Sequence, residues 1–260
     1  MVQVISHRGG TFPWPENSLT AFRNSIALGV PWVECDVHLS ADSVPFVIHD
    51  ATLDRTTDAT GPVRARTEAE LGAVTVRGTG GEALPSFDDL VSLIAPSATG
   101  LQVEIKGNAA GTRYPGALDL VLAALDRAGI RGRAGLIAFE APLAAEAVRA
   151  GGLDHVAWLL TDRTVQQIGP AGAVAVCHAH GIGMIETEAT ALDAELLAAW
   201  RAAGLRVAVW GRTTRPPSGG CSSSAWMPWR ATIPPWRCGW RPEPRDTCRG
   251  AARPSLVGGR

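Results

Sequence analysis

The chain has 260 residues, a formal net charge of −1, 46% hydrophobic residues, 19% charged residues and 5 cysteines. This composition excludes an intrinsically disordered protein, a disulfide-rich miniprotein and a strongly basic nucleic-acid binder. Because the sequence shows no apolar run of about 18 residues and no signal-peptide pattern, we expect a cytoplasmic protein with no transmembrane segment and with free thiols.

Strand patterns alternate with helical patterns over the first 211 residues. In chain order, strands are predicted at residues 2–6, 32–37, 101–105, 135–139, 155–160, 183–185 and 205–210. Helices are predicted at residues 18–28, 116–128, 142–150 and 192–203, with Ser18 as an N-cap and glycines at several helix ends. Strands separated by helices form right-handed βαβ units, so the sequence predicts an α/β fold with seven parallel strands.

Residues 44–49 are also strand-like, but they follow the second strand too closely for a parallel crossover. They are therefore predicted to fold back antiparallel on that strand through a turn at Ala41, Asp42 and Ser43. A (β/α)8 TIM-type barrel needs one further helix and one closing strand after residue 211. We expect both to be missing, because the sequence changes character there.

The C-terminal segment, residues 212–260, holds 9 Arg, 2 acidic residues, 4 of the 9 Trp, 8 of the 18 Pro and 3 of the 5 Cys. Its proline content is too high for a helix or a central strand. One interpretation is a basic and aromatic segment that binds a membrane surface or a partner. The composition favours the other, out-of-frame translation of a GC-rich gene, so we expect a barrel domain at 1–211 and an anomalous tail.

Polar clusters follow the predicted strands where active sites of parallel α/β folds lie. Glu34 and Asp36 are two residues apart on one strand, so their side chains share a face about 7 Å apart. Glu104 ends another strand and would supply a third carboxylate. Three oxygen ligands favour one hard divalent cation, Mg²⁺ or Ca²⁺. The alternative, a surface strand with solvated acids, disagrees with the apolar residues on both flanks.

His7 and His49 each end an apolar strand and could act as general acid and general base. Arg8 and Lys106, the only lysine of the chain, would add positive charge suited to a phosphate. Together with the acids, these groups predict phosphoester hydrolysis. His38 shares the face of the acids and is expected at most to support them. Trp210 could line the mouth of the site or pack in the core.

At these residues the sequence resembles the glycerophosphodiester phosphodiesterases. The resemblance is carried by HRGG and PENS, then VECDVHLSAD, PFVIHDATLDRTTDATG and VEIK, in order over residues 2–107. It weakens to a general barrel likeness up to residue 211 and is not seen beyond. It implies a TIM-type barrel with a small insertion, here residues 51–87, and hydrolysis of small-molecule glycerophosphodiesters to glycerol 3-phosphate and an alcohol.

The resemblance also implies roles for individual residues. It implies acid–base catalysis by His7 and His49, ligation of a divalent cation by Glu34, Asp36 and Glu104, phosphate contacts from Arg8 and Lys106, and a supporting role for Glu16 and Asn17. It does not say which histidine is the acid, or whether water or a glycerol hydroxyl attacks first. The oligomeric state is not predicted.

Three departures from the family pattern stand out. Cys35 replaces a common Phe, Ala138 replaces a serine beside Phe139, and nothing after Gly211 resembles the family's last helix and closing strand. Two alternative functions stay open: a phospholipase-D-like lyase acting on lysolipids or sphingolipids, and a non-catalytic barrel whose tail binds lipid surfaces.

Overall fold

A computed structural model describes residues 3–211 and, for the backbone alone, residues 229–232. The expectation that the closing helix is missing after residue 211, and the expected character of the C-terminal segment apart from residues 229–232, fall on residues outside the described part of the chain.

All seven predicted parallel strands are confirmed, and the predicted hairpin strand follows the second of them. The strands are β1 Gln3–Ser6, β2 Trp32–Leu39, β3 Pro45–Val47, β4 Gly100–Ile105, β5 Ala134–Ala138, β6 His155–Leu160, β7 Met184–Glu188, β8 Arg206–Trp210 and β9 Trp229–Thr232. β3 pairs antiparallel with β2 as expected, and it projects from the barrel as a short hairpin arm.

The helices lie between the strands in the chain, and all except the short helix Glu68–Leu71 pack on the outer face of the sheet. They are α1 Leu19–Ala27, α2 Glu68–Leu71, α3 Phe87–Ile94, α4 Ala117–Arg127, α5 Ala141–Ala150, α6 Asp162–His180 and α7 Ala194–Ala202. Ser18 caps α1 as predicted, because its hydroxyl accepts a hydrogen bond from the amide of Ala21. Three helices, α2, α3 and α6, were not predicted from the sequence. In α6, Gly169 with φ +67° and the following Pro170 interrupt the helical pattern.

The strands close into an eight-stranded barrel of the (β/α)8 TIM type. β1 pairs in parallel with β2, and the sheet then runs through β4, β5, β6, β7 and β8 to β9, which returns to β1. The expectation that no closing strand follows β8 is wrong in one respect, because β9 fills that position. β9 runs antiparallel to both β1 and β8, however, unlike the parallel strand of a regular (β/α)8 barrel. Without β9, β1 and β8 would each be an edge strand with unpaired backbone groups, and β9 forms hydrogen bonds with these groups.

The interior of the barrel is packed with side chains. Near the amino ends of the strands, the rings of Trp32 and His155 meet edge-to-face with centroids 5.0 Å apart. Glycines on the neighbouring strands make room for them: a Cβ on Gly100 would lie 2.5 Å from Trp32, and one on Gly135 would lie 2.2 Å from His155. This packed floor leaves the opposite end of the barrel, where the strands end, for the polar groups.

The segment after β3 forms a small core of its own. It is built from buried apolar side chains of Phe46, Ile48, Leu53, Val63, Leu71, Val74, Val76 and Leu84. The segment docks on α1, where the Thr20 hydroxyl donates a 2.6 Å hydrogen bond to Glu82. Within the described part of the chain, no helix is long and apolar enough to cross a lipid bilayer.

Candidate active site

Three buried carboxylates converge at the carboxyl ends of β2 and β4. Oxygens of Glu34, Asp36 and Glu104 all lie within 4.8 Å of one another, and no side chain of the three is more than 3% exposed. The parallel register places Asp36 directly beside Glu104. Alternation along each strand points these side chains into the barrel. The predicted acidic cluster is therefore present.

The HRGG turn brings a cation and an amide to the acids. Arg8 has φ +52°, a left-handed conformation that is uncommon for a residue with a side chain. Its backbone N–H donates a 2.9 Å hydrogen bond to Glu34 Oε2, and its Nε lies 3.2 Å from Asp36 Oδ2. Gly10 follows with φ +110°, and a Cβ there would lie 2.8 Å from the Trp14 ring. The second glycine is thus required by a close approach as well as by backbone conformation.

Glu16 and Asn17 hold the turn to the cluster. The Asn17 amide donates a 2.9 Å hydrogen bond to Asp36 Oδ2, and Asn17 adopts φ +56°, which asparagine tolerates. Glu16 Oε1 accepts a 3.0 Å hydrogen bond from Arg8 Nη1. Burial favours the neutral acid, but hydrogen bonds from Arg55 and the charge of Arg8 lower the pKa of Glu16 below its ordinary value. Glu16 thus contacts Arg8, and Asn17 contacts Asp36.

Lys106 completes the charge balance. Its Nζ lies 2.5 Å from Glu104 Oε1 and 3.1 Å from Asp36 Oδ1. Burial alone would lower the pKa of Lys106, but Asp36 and Glu104 raise it above its ordinary value, so the ammonium stays charged. Burial would raise the pKa of Asp36, yet Lys106 and Arg8, followed by His49 and His7, hold it far below its usual range.

The donor set fits a hard divalent cation. It consists of three carboxylates, whose oxygens are the ligands that Mg²⁺ and Ca²⁺ prefer. With Arg8 and Lys106 beside them, the formal charge of these five groups is −1. A divalent cation would change it to +1, which one phosphodiester anion would neutralise. The acidic cluster can therefore hold a metal, and the charge that remains matches a phosphodiester.

Both predicted histidines lie close enough to this cluster to affect its electrostatics. His7 Nε2 lies 3.9 Å from Glu34 Oε2, and the positive charges of His7 and His49 both lower the pKa of Asp36. His49 Nδ1 lies 2.7 Å from Asp50 Oδ1, so one ring nitrogen is engaged by a carboxylate. Because a carboxylate accepts hydrogen bonds, this contact assigns a proton to Nδ1 and leaves Nε2 for proton exchange.

His38 supports His49 rather than the acids. Its Nε2 donates a 3.0 Å hydrogen bond to the carbonyl oxygen of His49, and its Nδ1 lies 2.9 Å from the Tyr114 hydroxyl. Since the carbonyl can only accept, Nε2 carries a proton, and in the neutral ring Nδ1 accepts from the Tyr114 hydroxyl. Burial, the largest effect, lowers the pKa of His38 to about 4. The expectation that His38 has at most a supporting position agrees with this geometry.

Trp210 lies at the end of β8, where the mouth of the barrel opens. Its ring meets Phe139 edge-to-face, with centroids 6.0 Å apart, and Phe139 is 45% exposed. Trp210 also packs on the apolar cluster inside the barrel, and its buried Nε1 has no hydrogen-bond partner among the described residues. The two alternatives for Trp210, mouth and core, therefore both describe part of its position.

Three polar side chains around the site, Arg55, Gln102 and Glu186, were not predicted from the sequence. Arg55 bridges Asp50 and Glu16, and within the barrel the amide of Gln102 donates a 2.8 Å hydrogen bond to the buried Glu186. Gln102 could have been found, because it shares the inward face of β4 with Glu104. Arg55 carries no such signal, since only the path of the loop brings it to Glu16.

The comparisons with known proteins agree with this geometry. Residues 7–227 match the sequence model of the Glycerophosphoryl diester phosphodiesterase family. This match continues past Gly211, the residue at which the resemblance in sequence motifs ends. A glycerophosphodiester phosphodiesterase from Caldanaerobacter subterraneus subsp. tengcongensis is 34% identical over 127 residues, which are 47% of this chain and 51% of that protein. Bovine glycerophosphodiester phosphodiesterase 1 is 48% identical over 60 residues, 23% of this chain and 18% of that protein. The aligned region thus spans about half or less of these two relatives.

Solved structures are similar over more of the chain. A crystal structure from Agrobacterium tumefaciens str. C58, assigned as a glycerophosphoryl diester phosphodiesterase, is 32% identical with a TM-score of 0.78 and covers 82% of this chain and 86% of its own. Another, from Silicibacter pomeroyi DSS-3 and assigned to the same activity, is 26% identical with a TM-score of 0.68, covering 81% and 83%. On the family match and these likenesses, the chain belongs to the glycerophosphoryl diester phosphodiesterase family.

Proposed function

We propose that this chain hydrolyses glycerophosphodiesters to glycerol 3-phosphate and an alcohol, with one divalent cation, Mg²⁺ or Ca²⁺, at the acidic cluster. The observation that carries this proposal is the convergence of three buried carboxylates with Lys106 and Arg8. Membership of the family and the names of its relatives support the substrate class.

In this proposal Glu34, Asp36 and Glu104 hold the metal, which would polarise the phosphoryl group and lower the pKa of a bound hydroxyl. Arg8 and Lys106 contact the phosphate oxygens and offset the negative charge that develops in the transition state. Glu16 and Asn17 hold Arg8 and Asp36 in place. Trp210 borders the substrate with its ring, which lies beside the exposed Phe139 at the mouth of the barrel.

His7 and His49 exchange the two protons of the reaction. One removes a proton from the attacking hydroxyl, and the other gives a proton to the leaving alkoxide, each transfer contributing about 10²- to 10⁴-fold in rate. The positive charges of both histidines lower the pKa of Asp36, so both lie near this carboxylate, and we propose that one acts on each side of a phosphoryl group bound there. Whether water or the glycerol hydroxyl attacks first is a question for product analysis.

We also propose the division of the chain made from its composition. Residues 1–211 form the catalytic barrel apart from its closing strand β9, and residues 51–87 are its insertion. Residues 212–260, which include β9, are in this proposal a tail of different origin. The separate apolar core supports the bounds of the insertion, because six of its eight buried side chains lie within residues 51–87 and the other two, Phe46 and Ile48, lie just before it. Sequencing the gene around codon 211 tests the boundary of the tail, since a second reading frame that encodes a helix and a strand would identify a frameshift.

The experiment uses the purified full chain and glycerophosphocholine, with Mg²⁺ or Ca²⁺ added to chelator-treated protein. We expect glycerol 3-phosphate to appear in an enzyme-coupled assay and to require the metal. A cyclic phosphate released without glycerol 3-phosphate would instead support the lyase alternative. If neither product forms although the protein is folded and binds the metal, the proposed hydrolysis is contradicted.

A further inference from the structure

Arg55 connects the two halves of the site. Its Nε donates a 2.6 Å hydrogen bond to Asp50 Oδ2 and its Nη2 a 2.9 Å bond to Asp50 Oδ1. The same guanidinium reaches Glu16, with Nη1 3.0 Å from Oε2 and Nη2 2.7 Å from Oε1. Both carboxylates are therefore bound in the bidentate geometry that a planar guanidinium provides.

Each of the two carboxylates also contacts a different group of the site. Asp50 lies 2.7 Å from His49 Nδ1, and Glu16 accepts from Arg8, which in turn approaches Asp36. The chain of contacts runs from His49 through Arg55 to Arg8. A single side chain thus fixes a proton-transfer group relative to a phosphate-binding group.

The electrostatics agree with this geometry. Hydrogen bonds from Arg55, the largest effect, lower the pKa of Asp50 well below its ordinary value, and the same bonds raise the pKa of Arg55. Asp50 therefore remains a carboxylate beside His49 over the neutral range, and a carboxylate can only accept a hydrogen bond. This arrangement favours the neutral His49 tautomer that carries its proton on Nδ1.

The Arg55 side chain is not part of the buried core. Its side chain is 48% exposed, and it lies in the insertion, outside the barrel strands. Exposed ion pairs contribute little to stability. Removal of Arg55 should therefore leave the fold intact, so that a loss of function can be separated from a loss of structure.

We propose that Arg55 is a positioning residue, which holds Asp50 and Glu16 so that His49 keeps one tautomer and one orientation relative to Arg8. The inference rests on the proposed function for its catalytic consequence. In this proposal the insertion has a function, because it places Arg55 at the carboxyl end of the barrel.

The first experiment measures the state of His49 without substrate. Long-range ¹H–¹⁵N spectra of the full chain, with the His49 signals identified by their loss in His49→Gln, report which ring nitrogen carries the proton. We expect the Nδ1–H tautomer in the wild type and a shift towards Nε2–H in Arg55→Met. Arg77→Met is the control, because Arg77 is an exposed arginine of the same insertion. An unchanged His49 tautomer in Arg55→Met would overturn the proposal.

The second experiment measures kinetics with glycerophosphocholine. We expect Arg55→Met to lower kcat by about 10- to 100-fold, as removal of a supporting hydrogen-bond partner does in other sites, and Arg77→Met to leave it unchanged. Arg55→Lys should restore only part of the loss, because an ammonium cannot bind both carboxylates bidentately.

A double-mutant cycle tests whether Arg55 acts through Asp50. When Asp50→Asn is already present, the further loss of kcat caused by Arg55→Met should be small. Equal kcat in Arg55→Met and Arg77→Met, or fully additive effects with Asp50→Asn, would contradict the positioning role. An inactive wild type would refute the proposed hydrolysis, while the tautomer measurement would still decide the position of Arg55.

Discussion

The Nε2 of His38 donates a 3.0 Å hydrogen bond to the carbonyl oxygen of His49. His38 lies on the inward face of β2, and His49 follows β3, the strand that folds back on β2. The hairpin thus places a neutral, buried imidazole under the backbone of the histidine proposed to exchange protons. His49 is held at two points, by His38 at its carbonyl and by Asp50 at its ring.

Stability should depend on pH through His38. The pKa of His38 is lowered to about 4 from an ordinary 6.5, so the unfolded chain binds more protons between these values. Above pH 6.5 His38 is neutral in both states and does not oppose folding. As the pH falls from 6.5 towards 4, protonation of His38 in the unfolded chain lowers the free energy of unfolding. We expect the free energy of unfolding, measured with urea, to fall by about 2 kcal/mol more between pH 7.5 and 5 than in His38→Gln. Equal pH dependence of the two proteins would contradict the assignment of His38 as buried and neutral.

The metal proposal predicts a defect specific to the acidic cluster. Glu104→Gln removes one charged ligand, so we expect the affinity for Mg²⁺ or Ca²⁺ to fall and kcat/KM to drop by at least about 100-fold. Calorimetric titration of the metal and the coupled assay measure the two effects. Glu195→Gln, at an exposed position of α7, serves as the control and should match the wild type. Unaltered metal affinity in Glu104→Gln would show that Glu104 is not a ligand.

The two histidines should differ in their dependence on the leaving group. His7→Ala and His49→Ala should each lower kcat by about 10²- to 10⁴-fold with glycerophosphocholine. With a nitrophenyl phosphodiester, whose leaving group needs no proton, the variant that lacks the general acid should recover most of its loss. His180→Ala, in the last turn of α6, is the exposed control. Recovery in neither variant would mean that neither histidine protonates the leaving group.

The floor of the barrel should tolerate no side chain at Gly135. A Cβ there would lie 2.2 Å from the His155 ring, which is buried at 8% exposure. Gly135→Ala should therefore lower the free energy of unfolding by about 1–3 kcal/mol, the usual cost of overpacking. Gly183→Ala is the matched control, because a Cβ at Gly183 would have no heavy atom within 4 Å. Similar urea midpoints for the two variants would indicate that His155 moves aside without cost.

Much of the site could be predicted because strand geometry is periodic. The spacing of Glu34 and Asp36 fixes a common face, and the carboxyl ends of parallel strands meet at one end of a barrel. These two rules bring Glu104 to Asp36, as the register confirms. The same periodicity failed at α6, where the non-helical backbone of Gly169 and the following Pro170 divide the segment into two helical parts joined at a kink.

The sequence by itself determined the alternation of strands and helices, the hairpin on β2 and the residue types of the acidic cluster, because each depends on neighbours a few positions apart. The tertiary structure alone decided that Arg55 meets Glu16 across 39 residues, that β9 runs antiparallel, and that Gln102 pairs with Glu186. Such contacts depend on where loops and distant strands end in space, and a local pattern of apolar and polar residues does not encode that position.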